Sequence, residues 1–115
     1  MDTATERWVR ITPEGNVPLR EGRSVAIDGC ELAIFNLGDR FVAMENRCPH
    51  RGGPLADGIV SATGEEITVT CPLHNWRVAV DEGCVVKPSG QDGVCVRTFP
   101  VKVENGIVQV WVSSA

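Results

Sequence analysis

Short apolar runs separated by glycine-bearing turns set the rhythm of the first 45 residues. "SVAI" runs into Asp28-Gly29, "CELAIFNL" runs into Gly38-Asp39, and "RFVAM" follows. Asp-Gly suits a type I′ hairpin turn, and glycine at the first central position suits type II′, so the pattern predicts an antiparallel meander. An earlier run, "WVRIT", opens the series. The last third repeats the device, with "VRTFPVKVE", Asn105-Gly106 and "IVQVWV". There Val101 and Val103 alternate with Lys102 and Glu104, the period of a half-buried strand. No stretch predicts a helix of three turns, and there is no internal repeat or low-complexity segment. The apolar residues agree: 17 Val and 6 Ile stand against 5 Leu. Branching at Cβ restricts χ1 and suits a pleated surface. The expected class is all-β with antiparallel sheets.

Between the two hairpin systems, from about Asn46 to Gly93, the texture changes. Gly and Pro concentrate in "PHRGGPLADG" and "KPSGQDG", and the region reads as loop-rich. One strand stands out within it. "EITVTC" alternates, so Ile67, Val69 and Cys71 share a face and carry the core side directly to a thiol. A sheet framework holding two loops is the expected division of labour. At 115 residues the chain is read as one domain, 1–115, with a smaller portion at about 46–93.

Charge removes several classes of function. A net charge of −4 lacks the basic footprint that a phosphate backbone requires, so no nucleic-acid partner is expected. No apolar run approaches the roughly 20 residues that span a bilayer, so no membrane partner is expected. "MDTATERWVRIT" has no continuous apolar core of a secretory signal, which predicts a cytoplasmic protein with reduced thiols. Five cysteines there point to metal or catalytic use more than to disulfides.

Both histidines of the chain lie just downstream of a Cys-Pro pair, in "CPHRGG" and "CPLHNW". The candidate ligands are Cys48 and His50 from one loop, and Cys71 and His74 from the other. Two Cys and two His accommodate tetrahedral zinc. They equally accommodate a Rieske [2Fe–2S] cluster, in which two Cys hold one iron and two His the other. A zinc finger groups its ligands by pairs on separate elements. Here each motif mixes thiolate and imidazole, so each loop can reach both irons. Cys30, Cys84 and Cys95 lie in Val-rich, strand-like surroundings and are expected to be buried structural thiols.

"CPHRGG" with "CPLHNW" resembles the Rieske signature, Cys-x-His followed by Cys-x-x-His, and "GPLADG" and "VVKPSG" fit the same family. The resemblance implies a Rieske-type antiparallel β-sandwich with a smaller cluster-binding subdomain. It implies a [2Fe–2S] cofactor held by Cys48, His50, Cys71 and His74, and a loop around Pro88 that shields it. "CPHRGGPLADGIV", "CPLHNWRV" and "VRTFPVKVENGIVQVWV" are more closely similar to the small subunits of assimilatory NAD(P)H nitrite reductases. That implies a large-subunit partner with flavin, sirohaem and a [4Fe–4S] cluster, which reduces nitrite to ammonium. No catalytic residue is then expected in this chain, which is part of an oxidoreductase without a substrate site of its own. The alternatives are a free Rieske ferredoxin serving a ring-hydroxylating dioxygenase, and a structural zinc-binding module. Twenty residues separate His50 from Cys71, and "SATGEE" reads as an extra loop.

Replacing two thiolates by neutral imidazoles removes two negative charges, so an added electron is better tolerated than in a four-Cys cluster; Rieske potentials span roughly −150 to +300 mV. High-potential members of the family have an additional Cys in each loop, forming a disulfide, and a Ser after the second histidine. Here those places read Gly53, Leu73 and Trp76, which predicts the low-potential end. Arg47, Arg51 and Arg77 flank the motifs as solvated charges or as a docking patch. Trp76 is expected to pack beneath its loop.

Overall fold

The computed structural model describes residues 6–48, 52–63, 66–73, 75–88, 90 and 93–113. Among the described residues eleven strands follow in chain order: β1 Glu6–Pro13, β2 Gly22–Ile27, β3 Cys30–Asn36, β4 Phe41–Glu45, β5 Ile59–Thr63, β6 Glu66–Thr70, β7 Arg77–Ala79, β8 Val85–Lys87, β9 Thr98–Phe99, β10 Val101–Glu104 and β11 Ile107–Ser113. The helical elements among the described residues are single 3₁₀ turns, at Glu14–Asn16 and Leu55–Asp57. The expected all-β class holds. Three antiparallel sheets form, ordered β1-β11-β10, β2-β3-β4-β9 and β5-β6-β7-β8.

The turns form where their residues demand. Asp28 and Gly29 have φ of 52° and 81°, and Asn105 and Gly106 have 55° and 77°. Positive φ at both central positions is what a type I′ turn requires. Gly38 has φ 99° at the head of its two-residue turn, closed by the Leu37 N–H donating to the Arg40 carbonyl at 2.8 Å.

The middle sheet is covered on both faces at its central strand β3. Its run Leu32, Ala33, Ile34, Phe35 is fully buried. Successive strand residues point to opposite faces. Leu32 and Ile34 accordingly join Ala43, Val108, Val110 and Val112 in a core against the first sheet. Ala33 and Phe35 turn the other way, joining Met44, Leu55, Val60, Val69 and Val78 in a second core against the third sheet. A strand buried on both faces reads as a continuous apolar run, as "LAIF" does. The terminal sheet and the middle sheet make the sandwich, and the third sheet forms a further layer.

That third layer corrects the reading of 46–93 as chiefly loop. Most of "SATGEE" is strand: Ser61–Thr63 lies in β5 and Glu66 in β6, which pair with each other from Ile59↔Thr70 to Thr63↔Glu66, and Gly64 and Glu65 lie outside the described residues. Strands β7 and β8 extend the sheet, with a bulge at Val86 between the pairs Arg77↔Lys87 and Val78↔Val85. On β10, Val101 packs into the first core as expected, whereas Val103 is exposed beside its turn on an edge strand.

The cysteines away from the loops also differ from expectation. Cys84 and Cys95 form a disulfide; Cys30 stays outside it and is half-buried. The physical reason is register, since Cys84 and Cys95 face each other as an isolated antiparallel bridge. One surface strut ties the layers at this end. Arg40 Nη2 donates to both carboxylate oxygens of Asp81 at 2.6 and 2.8 Å, linking the β3–β4 turn to the β7–β8 hairpin. That hydrogen bond, with the charge of Asp81 and of Asp39, raises the Arg40 guanidinium pKa above its ordinary value. Both partners are well exposed, so the strut contributes on the order of 0–1 kcal/mol.

Candidate metal centre

Cys48 follows β4, and its approach is fixed by a buried asparagine. Asn46 donates its N–H to the Glu31 carbonyl at 2.9 Å, and its Oδ1 accepts from the Ala56 N–H at 2.7 Å. One side chain thereby clamps the strand end to the 3₁₀ turn Leu55–Asp57. Sequence reasoning missed Asn46. The available signal was a polar residue standing directly between a buried strand and the first cysteine loop.

The loop then closes on itself. The Cys48 N–H donates to the Gly53 carbonyl at 2.7 Å, and the Gly52 N–H donates to the Cys48 carbonyl at 2.7 Å. The second loop repeats this at the end of β6. The Cys71 N–H donates to the Trp76 carbonyl at 2.7 Å, and the Asn75 N–H donates to the Cys71 carbonyl at 3.1 Å. In both, the fifth residue has positive φ: 73° at Gly52 and 61° at Asn75. Two six-residue rings, 48–53 and 71–76, therefore share one backbone design.

The rings also touch. A Cβ on Gly53 would lie 2.9 Å from Cys71 Sγ, 2.9 Å from Leu73 Cδ1 and 3.1 Å from Leu73 Cγ. The backbone of the first ring thus rests against the thiol of the second. The two glycines divide two roles: Gly52 forms the turn, with open space at its Cβ position, and Gly53 allows the close approach. Gly53 and Leu73 are in contact here, at the places where high-potential Rieske proteins were expected to have their paired cysteines. Gly58 makes a second close approach, since a Cβ there would meet the Thr70 carbonyl and Val69 Cγ2. This fastens the end of "GPLADG" to the strand that delivers Cys71.

Both thiols are enclosed. Cys48 is 2% exposed and Cys71 is 1% exposed, and both belong to the core shared with the middle sheet. Neither enters a disulfide. His50 and His74, like Arg51, lie outside the described residues. Trp76 is half-buried against the same core, as packing beneath the loop requires. The outer surface of the second ring differs in character: Pro72, Leu73 and Asn75 are exposed, Leu73 at 55%. Arg47, just before the first ring in the chain, and Arg77, just after the second, are exposed, and Pro88 is exposed at the end of β8 after a cis peptide bond.

Two buried thiols on abutting rings suit a soft metal centre. Isolated thiolates in an apolar core are costly, and coordination to a cation offsets that cost. The donor chemistry therefore fits an iron–sulfur group on the sulfur side.

A family model described as a Rieske-like [2Fe–2S] domain matches residues 7–111, a span that includes both rings. The ferredoxin component of the naphthalene 1,2-dioxygenase system of Pseudomonas aeruginosa is 31% identical over 107 residues, covering 92% of this chain and 96% of that protein. The NAD(P)H nitrite reductase large subunit of Klebsiella oxytoca is 31% identical over 108 residues, which are 93% of this chain and 11% of that protein. A crystal structure from Mycobacterium tuberculosis, of a protein provisionally named an NADH-dependent nitrite reductase small subunit, superposes with a TM-score of 0.87. Its identity to this chain is 25%, and the superposition covers 96% of this chain and 99% of that one.

Proposed function

The chain belongs to the Rieske-like [2Fe–2S] domain family, and from that premise we propose that it is the small subunit of an assimilatory NAD(P)H-dependent nitrite reductase. The family makes it a Rieske-type electron-transfer protein with a [2Fe–2S] cofactor. When bound, the cluster supplies one-electron acceptance and donation. We assign Cys48 and Cys71 to one iron and His50 and His74 to the other, within a single domain whose cluster-binding portion runs from about 46 to 93. The chain's own contribution is positional. Burial keeps water from Cys48 and Cys71, and Gly53 lets the two rings close on a shared centre.

The observation that carries the nitrite reductase reading is the end-to-end superposition on the Mycobacterium tuberculosis protein at a TM-score of 0.87. The Klebsiella oxytoca large subunit supports it, because a segment similar to nearly all of this chain is built into that enzyme. The partner would be a large subunit carrying flavin, sirohaem and a [4Fe–4S] cluster, and nitrite chemistry would belong to it. Exposed Leu73, Arg47 and Arg77 border the proposed centre and would face that partner. Among the described residues no helix is long and apolar enough to cross a membrane, and a cytoplasmic location suits this role.

The second reading is a free ferredoxin for a ring-hydroxylating oxygenase, favoured by the 31% identity to the naphthalene 1,2-dioxygenase ferredoxin component. Affinity purification of the native complex separates the two. A large protein with sirohaem absorption in the eluate supports the first reading, and an oxygenase in its place overturns it. EPR of the dithionite-reduced eluate reports the cluster, and a colourless zinc-bearing protein would refute it.

A further inference from the structure

The disulfide between Cys84 and Cys95 lies outside the two rings and has no part in the proposed electron path. We propose that it is a separate thiol-exchange site, opened and closed by low-molecular-weight thiols or a protein dithiol, and that it clasps the Val85 end of β8, which pairs with the strand leading out of the second cysteine ring.

The difference in exposure between the two cysteines sets the direction of attack. Cys95 is exposed, whereas Cys84 is half-buried with its Sγ 3.7 Å from the Glu82 carbonyl oxygen. An incoming thiolate attacks Sγ of Cys95. A mixed disulfide forms there, the Cys84–Cys95 bond breaks, and Cys84 leaves as a thiolate. A second thiolate then attacks the sulfur of the attached reductant, releasing the oxidised reductant and the Cys95 thiolate. Each protein thiolate takes up a proton. In total, two thiols are oxidised to one disulfide while one protein disulfide is reduced to two thiols.

The surrounding backbone makes the exchange reversible. The Val85 N–H donates to the Val94 carbonyl at 3.0 Å on one side of the bridge, and the Val96 N–H donates to the Gly83 carbonyl at 2.8 Å on the other. These hydrogen bonds keep the two cysteines opposite each other when the sulfurs separate, so the bond can close again. The clasp closes a loop that includes β8, which pairs with β7 through Arg77↔Lys87 and Val78↔Val85. Strand β7 begins directly after Trp76, whose carbonyl closes the second ring. Opening the clasp therefore loosens the Val85 end of β8, while its pairing with β7 at Arg77↔Lys87 and the ring itself remain.

Holoprotein equilibrated in glutathione buffers from oxidising to reducing, then alkylated and digested, tests this directly. Peptides bearing Cys84 and Cys95 should convert together between disulfide and alkylated thiol, reversibly, while the visible absorption of the cluster persists. Amide hydrogen exchange at Val85, Val86 and Val94 should become several-fold faster in the dithiol form, with Lys87, β1 and β11 unchanged. The doubly substituted C84S/C95S protein should match the dithiol form. A bond that opens only on unfolding, thiols that never close in oxidised buffer, or identical exchange in both forms would each overturn the proposal.

Discussion

The two cysteine rings solve the same backbone problem with different residues. Each is closed by a cysteine N–H donating to the sixth residue's carbonyl and by the fifth residue's N–H donating to the cysteine carbonyl. Each needs positive φ at its fifth residue, met by Gly52 in one and Asn75 in the other. The sixth residues could hardly differ more: Gly53 in the first ring, Trp76 in the second. The difference lies in what each abuts. Gly53 faces the Cys71 thiol and Leu73, where no Cβ fits. Trp76 packs, half-buried, against the core beneath the third sheet. Backbone form is thus shared, while side-chain size is set by the neighbour. The ring that must approach the other is made of glycine, and the ring that must anchor the pair carries an aromatic.

Removing a thiol from either ring should have the largest effect and should be symmetric. Cys48→Ser and Cys71→Ser are each expected to abolish visible cluster absorption and iron content, measured on purified protein. Retention of absorption by either variant would break the pairing of the rings around one centre. Next in size is a change at the point of contact. Gly53→Ala forces a methyl to within 2.9 Å of Cys71 Sγ and Leu73 Cδ1. Overpacking of this kind costs about 1–3 kcal/mol, readable as a lower denaturation midpoint. A lower cluster occupancy should accompany it, because the thiol itself is displaced.

The parts of this arrangement that were legible in the sequence are those fixed by local demands. Asp28-Gly29 and Asn105-Gly106 announce type I′ turns because both central residues must adopt positive φ. "CELAIFNL" announces a strand because it is an apolar run between two glycine-bearing turns, while its burial on both faces emerges only from the packing of the sheets. Cys48 and Cys71 were legible through their spacing from histidine. Strands β7 and β8 were not legible. Three residues are too few to show a period, and their conformation comes from pairing with neighbours across the sheet. "SATGEE" looked like an insertion because so short and polar a stretch shows no strand period, and only the β5–β6 register reveals that its ends are paired. The Cys84–Cys95 bridge is likewise a product of register, since nothing in a Val-rich run says which cysteine faces which. Asn46 was hidden for another reason. Its partners, Glu31 and Ala56, are distant in the chain, so its clamp exists only after folding.

The smallest expected effects test the shared backbone alone, free of contacts. Gly52→Ala puts a methyl into open space, so its whole cost is the positive φ of 73°, about 1 kcal/mol. Asn75→Ala should cost about the same, because Ala lacks the tolerance for this conformation that Asn shares with Gly. Asn75→Gly keeps positive φ at no steric penalty and should change stability by only a few tenths of a kcal/mol, on the order of the entropy added to the unfolded chain. Urea denaturation of the three variants in one buffer checks the set. Equal losses for the two alanine variants and near-neutrality for Asn75→Gly would mean that the fifth position serves only to turn the backbone. A large loss for Asn75→Gly would show that the asparagine side chain does something in the second ring that the first ring manages without.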